Sequence, residues 1–138
     1  MTTDQRASLH PAIYENLVDL ALREDLGAID VDCDLTAAWT VDSAAEDRAR
    51  IIARQPGVVA GIEIARAVFA RLDDGISFLA QVEDGAEVAV DHALIQLQGR
   101  ARALLAGERT ALNFLQQLSG VATLTHRFVA AVADTSAQ

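Results

Sequence analysis

Between Leu104 and Val132 the apolar residues return at helical spacing, and no proline interrupts them. Leu104, Ala111, Leu112, Leu115, Leu118 and Ala122 fall on one face of a helix, and Arg109, Asn113, Gln116 and Gly120 fall on another. The spacing predicts a helix from about Leu104, a break at Ser119-Gly120, and a second helical stretch carrying Leu124, Phe128, Val129 and Val132. The outer apolar face of that second stretch has little sequence beyond it to pack against, so a partner surface is expected to cover it. The rest of the chain must supply a platform for a long amphipathic helix.

Upstream, the patterns alternate. A first helix is expected from Pro11 to about Leu26, with proline in the first turn and Gly27 as a left-handed exit. Its expected buried stripe is Ile13, Leu17, Leu20 and Ala21. Ala28 to Asp47 reads as irregular and acidic, with Trp39 as its anchor. A strand follows, with Ala49, Ile51 and Ala53 on one face and Arg48, Arg50 and Arg54 on the other. Gln55-Pro56-Gly57 is turn-like, Val58-Val59-Ala60 is a short apolar run, and Ile62, Ala65, Val68, Phe69 and Leu72 fit a helix. Ile76, Phe78, Ala80 and Val82 alternate as a strand. Asp84-Gly85 makes a turn, and short strands are expected near Glu87–Val90 and Ala93–Leu97. The expected fold is α+β: a small, mostly antiparallel sheet with packed helices, ending in the C-terminal helical segment.

Composition narrows the chemistry. At 138 residues the chain is long enough for one domain with a real core. With 51% hydrophobic but only 4% aromatic residues, that core is built from Ala, Val and Leu. The uncharged runs fall short of the ~20 residues of a membrane span. The net charge of −9 argues against a nucleic-acid partner. All 11 basic residues are arginine, which removes Schiff-base, P-loop-lysine and biotinyl- or lipoyl-lysine chemistry. Cys33 has no internal disulfide partner, and Met1–Arg6 is too polar to open a secretory leader, so a cytoplasmic location is expected.

Arg109 is the leading candidate for binding. Read near the start of its helix, it adds a guanidinium to free N–H donors and a favourable dipole, and it can grip a carboxylate through two parallel hydrogen bonds. Arg102 could add charge, and Asn113, one turn on, could orient Arg109 or hold an interface group. From spacing alone a surface arginine paired with Glu108 or Glu83 is the readier explanation, and only the resemblance described below turns the balance toward binding. Asp30-Val31-Asp32-Cys33-Asp34 opens like a calcium loop, but Leu35 and Val41 stand where Gly and Glu are required. His10, His92 and His126 are scattered without metal spacing, and Glu24-Asp25 reads as an exposed acidic helix end. Val82–Gly99 resembles half of a biotinyl or lipoyl domain, without the lysine such a domain needs.

Four segments in order carry a more specific resemblance. They are Ala21-Leu22-Arg23-Glu24-Asp25-Leu26-Gly27 with Asp34-Leu35-Thr36; Gly57-Val58-Val59-Ala60-Gly61; Asp84-Gly85 through Gly99; and Glu108-Arg109-Thr110-Ala111-Leu112-Asn113 with Ser119-Gly120-Val121-Ala122-Thr123. Together they resemble quinolinate phosphoribosyltransferase, also called nicotinate-nucleotide pyrophosphorylase (carboxylating). The resemblance implies an N-terminal α/β sandwich at 1–118 and, at 119–138, the start of a barrel whose bulk is missing. It implies that quinolinate and phosphoribosyl pyrophosphate become nicotinate mononucleotide, pyrophosphate and carbon dioxide, with Mg2+ bound in the missing half. It also implies a homodimer or higher oligomer in which Arg109 reaches a substrate carboxylate in the neighbouring subunit, with Arg102 and Asn113 as further candidates. No catalytic residue and no metal ligand are expected in this chain, and alone it is expected to be inactive. A stand-alone interaction module, or a paralogous pyrophosphorylase with another substrate, are the alternatives.

Overall fold

The computed structural model describes residues 10–30, 40–133 and 135. Its elements are helix α1 (Pro11–Leu26), strands β1 (Glu46–Ile52) and β2 (Gly57–Val58), helix α2 (Ile62–Leu72), strands β3 (Ser77–Ala80), β4 (Glu87–Val88) and β5 (Ala93–Arg100), and helix α3 (Ala101–Ala133). β1, β5 and β3 form an antiparallel sheet with β5 in the centre, and β2 pairs antiparallel with β4. The α+β expectation is met. The acidic stretch Val31–Trp39, with Cys33, Asp34 and the proposed Trp39 anchor, lies outside the described residues.

Strand alternation does what period two demands. Arg48 and Arg50 of β1, Gln96 and Gln98 of β5, and Ser77 and Leu79 of β3 stand on the uncovered face. Ala49, Ile51, Ile95, Leu97, Phe78 and Ala80 turn toward the helices. The core holds Phe69, Leu22, Ile95, Val18, Val59 and Val68, each almost fully removed from solvent. Burying a side chain of this size contributes about 1.5–3 kcal/mol. Phe78 half-covers the core edge, 6.3 Å from Phe69 between ring centres, and the Arg66 guanidinium caps it at 4.4 Å.

Two expectations about helices need correction. α1 has the expected bounds, with Pro11 at its start and Gly27 in the left-handed conformation (φ 78°) at its end. Its buried stripe, however, is Tyr14, Val18 and Leu22; Ile13, Leu17 and Leu20 are 64%, 51% and 64% exposed. α1 is apolar on two sides, so periodicity alone does not choose a face. The choice follows from packing against α2 and α3 and from an ion pair between Asp19 and Arg71 at 2.7 Å.

The second correction concerns Ser119-Gly120. No break occurs there: α3 is one helix of 33 residues, about 50 Å long. The Ser119 hydroxyl accepts a hydrogen bond from the Ala60 amide (3.0 Å), and the Thr123 hydroxyl accepts one from the Val58 amide (2.9 Å). Two hydroxyls one turn apart thus satisfy the edge of the 58–60 segment that no strand covers. The opposite edge pairs with β4 and the turn before it, through the Val59 amide to the Ala86 carbonyl and the Gly85 amide to the Val59 carbonyl. Asp84, in that turn, accepts from the Gly61 and Ile62 amides and caps α2 from a distance, because Gly61 has no side chain to do so.

At the other end of α3, Gly107 lets the helix lie directly on α2. A Cβ there would stand 2.7 Å from Phe69 Cε1 and 3.1 Å from Leu72. Gly107→Ala should therefore destabilise the fold by about 1–2 kcal/mol in urea unfolding, overpacking outweighing the roughly 1 kcal/mol gain in helix propensity. The β5–α3 junction is held by Arg100, whose Nε lies 2.6 Å from Asp73 Oδ2. The Arg100 hydrogen bond, with that of the Gly75 amide, holds the Asp73 carboxyl below its ordinary range. Stability from such a group is present above the unfolded value of about 3.9 and fades as pH falls through the lower folded value. Asp73→Asn should lower the melting temperature at pH 6 and flatten its decline below about pH 4.

Candidate functional site

α1 and α3 run antiparallel. The start of α1 and the middle of α3 share a groove through Tyr14 and Leu118, and the end of α1 meets α3 near Thr110. At that second meeting point lies an open cleft of about 370 Å³, walled by Asp25 and Leu26 of α1 and by Leu105, Glu108, Arg109 and Leu112 of α3. Arg109 is exposed in it and, among the described residues, makes neither an ion pair nor a hydrogen bond. The pairing with Glu108 or Glu83 that spacing allowed does not form.

Arg109 does not stand at a helix terminus. α3 begins at Ala101, directly after β5, so Arg109 sits more than two turns inside it. The unpaired N–H groups of a helix are confined to its first turn, so they cannot assist Arg109. Any anion held here is held by the guanidinium itself, beside the apolar walls Leu26, Leu105 and Leu112.

Arg102 lies two turns earlier, and its Nε donates to the Val41 carbonyl at 2.8 Å, tying α3 to the backbone before β1. Asn113 is exposed one turn beyond Arg109, without a side-chain hydrogen bond among the described residues, and Gln116 continues the polar stripe. Arg109, Asn113 and Gln116 therefore share an open face; Arg102 belongs to the same stripe but is engaged at its base.

Asp25 is not the solvated acid expected of an exposed helix end. It is half-buried and accepts a hydrogen bond from Thr110 Oγ1. Thr110 is 1% exposed and is the one buried polar side chain among the described residues. Sequence reasoning missed it. The available signal was an acidic pair, Glu24-Asp25, at a helix C-terminus, where the dipole disfavours negative charge and a donor is needed to hold it.

The histidines are far apart in role. His10 caps α1 by accepting from the Ala12 amide (3.3 Å), and His126 lies 3.4 Å from Glu87 on the exposed surface. Among the described residues no three His, Cys, Asp or Glu side chains converge as a metal site. No described helix is long and apolar enough to cross a membrane.

Residues 34–119 match the family model for the quinolinate phosphoribosyl transferase N-terminal domain. The chain is 36% identical over 117 residues to quinolinate phosphoribosyltransferase [decarboxylating] 1b of Nicotiana tabacum, covering 84% of this chain and 33% of that protein. It is 38% identical over 120 residues to the nicotinate-nucleotide pyrophosphorylase [carboxylating] of Mycobacterium leprae, covering 86% and 41%. Among solved structures, NadC from Streptococcus pyogenes superposes with a TM-score of 0.84 at 32% identity, over 92% of this chain and 45% of that one. The nicotinate-nucleotide pyrophosphorylase from Francisella tularensis gives 0.84 at 30% identity, over 96% and 46%. The chain thus spans a third to two fifths of these curated relatives and less than half of the solved ones.

Proposed function

The chain belongs to the quinolinate phosphoribosyltransferase family, matching its N-terminal domain, and from that premise we propose that it serves as the substrate-capping and dimerisation part of a phosphoribosyltransferase of NAD biosynthesis. The reaction is the transfer of a phosphoribosyl group from phosphoribosyl pyrophosphate to quinolinate, giving nicotinate mononucleotide, pyrophosphate and carbon dioxide. The observation that carries this reading is Arg109: a guanidinium unpaired among the described residues, on an open helix face beside apolar walls, in a chain that otherwise has a large acidic excess.

A pyridine dicarboxylate is a planar dianion. A guanidinium matches one of its carboxylates in geometry and charge, and the neighbouring leucines lower the dielectric and strengthen the pair. Arg109 points out of its own domain, so the carboxylate it grips is held by other parts of the protein: the region that relatives carry beyond this chain, in a second subunit. Arg102 acts through the backbone, holding α3 against the segment before β1. Asn113 offers its amide to the same face. By the family reading, Mg2+ belongs with that further region. The chain by itself is inactive, and the whole protein works in the cytoplasm.

The second apolar surface of α3 supports the same arrangement. Val121, Leu124, Phe128 and Val132 recur along it and are more than half exposed. A surface of that kind would also suit a non-catalytic docking module of the same fold. The two readings part at Arg109. In the enzyme that contains this chain, Arg109→Gln should raise the KM for the dicarboxylate and lower kcat/KM by about 10- to 100-fold, the size of a charge-assisted hydrogen bond. Arg109→Lys should recover part of the loss. Unchanged steady-state kinetics in Arg109→Gln would leave only the docking role.

A further inference from the structure

Building on the reading of Arg109 as a carboxylate grip, we propose that Thr110 is a positioning residue that keeps the grip unoccupied by holding Asp25 away from it. Asp25 and Arg109 line the same cleft. A guanidinium and a carboxylate that share a small cleft ordinarily pair, and a paired Arg109 would have to release its partner before taking a substrate. Yet among the described residues Arg109 has no such partner.

The reason lies at the next residue. Thr110 is turned about 100° around the helix from Arg109, into the interior. There its Oγ1 donates to Asp25 Oδ2 across 85 residues of sequence. The bond ties the carboxylate to the α1–α3 contact. Its donor, Thr110, is buried, so the hydroxyl has a fixed place from which to hold it. Glu108, the other acid on the wall, precedes Arg109 directly, and adjacent helical residues do not face each other. One hydroxyl therefore decides whether the cleft presents a cation or a neutralised ion pair.

The pairing can be read in the 138-residue chain without any activity. Arginine side-chain NMR reports how fast the guanidinium rotates about its Nε–Cζ bond, and ion pairing slows that rotation. The expected result is fast rotation of Arg109 in the unaltered chain and in Thr110→Ser. Thr110→Val, an isosteric change, should slow it several-fold, and adding Asp25→Asn should restore it. If Thr110→Val does not fold, Thr110→Ala removes the same donor, and Asp25→Glu extends the carboxylate toward Arg109 with the same expected slowing. Fast rotation in every folded variant, or slow rotation in the unaltered chain released by Asp25→Asn, overturns the proposal.

Kinetics separates this proposal from the reading it rests on. In the enzyme that contains the chain, Thr110→Val should raise the KM for the dicarboxylate about tenfold with kcat within about twofold, and Asp25→Asn in that background should bring KM back. If Arg109→Gln leaves KM unchanged, the grip reading fails while the NMR result still judges the Thr110–Asp25 pair. If Arg109→Gln raises KM and Thr110→Val does not, the positioning role alone is wrong.

Discussion

The seating of α3 on the rest of the domain is the contact from which everything else follows. It is set at two points. Near the start, Gly107 removes the side chain that would keep α3 off Phe69, so the helix backbone lies against α2. Near the middle, the Ser119 and Thr123 hydroxyls replace a strand along the free edge of residues 58–60. The close approach there also requires Gly57, where a Cβ would stand 2.6 Å from Thr123 Oγ1. Fixed at both points, α3 cannot roll, and its polar stripe of Arg109, Asn113 and Gln116 is left facing outward.

The same seating explains which face of α1 is buried. α1 packs against both α2 and α3. Tyr14, Val18 and Leu22 enter the core, Asp19 reaches Arg71, and Asp25 reaches Thr110. These polar ties lie on either side of the buried stripe and fix the roll of α1. Ile13, Leu17 and Leu20 are consequently left outside. Ile13, Leu17 and Leu20 of α1 and Val121, Leu124, Phe128 and Val132 of α3 thus leave large aliphatic and aromatic side chains at the surface.

Electrostatics in this protein is a matter of which charges are tied and which are not. Arg71, Arg66 and Arg100 are paired with acids, Arg102 is tied to a backbone carbonyl, and Asp84 is spent on the start of α2. Arg109 is among the arginines without a partner among the described residues, and Asp25, on the same cleft, is bonded to Thr110. The cleft brings Arg109 together with Asp25 and Glu108, and of these Asp25 is the one bonded to Thr110.

Local pattern was enough for the elements. Period two placed β1, β3 and β5, period 3.6 placed α1 and α2 to within a residue or two, and the family-like segments pointed to the N-terminal domain that the comparisons then matched. Arg109 was also legible, as an arginine on a polar stripe of an amphipathic helix. What local pattern could not decide was everything that depends on a second element. Ser119-Gly120 looks like a break because glycine and serine weaken a helix, but the hydroxyl has a strand edge to bond and the helix continues. The helix start moved upstream because β5 hands its chain directly to α3. The buried face of α1 and the Thr110–Asp25 tie join residues far apart in sequence, so only the packed structure brings them together. The sequence determined which segments were helix or strand and which residue types lay on each face; tertiary packing alone decided which of those faces met, because burial and hydrogen-bond satisfaction are properties of pairs of elements rather than of one.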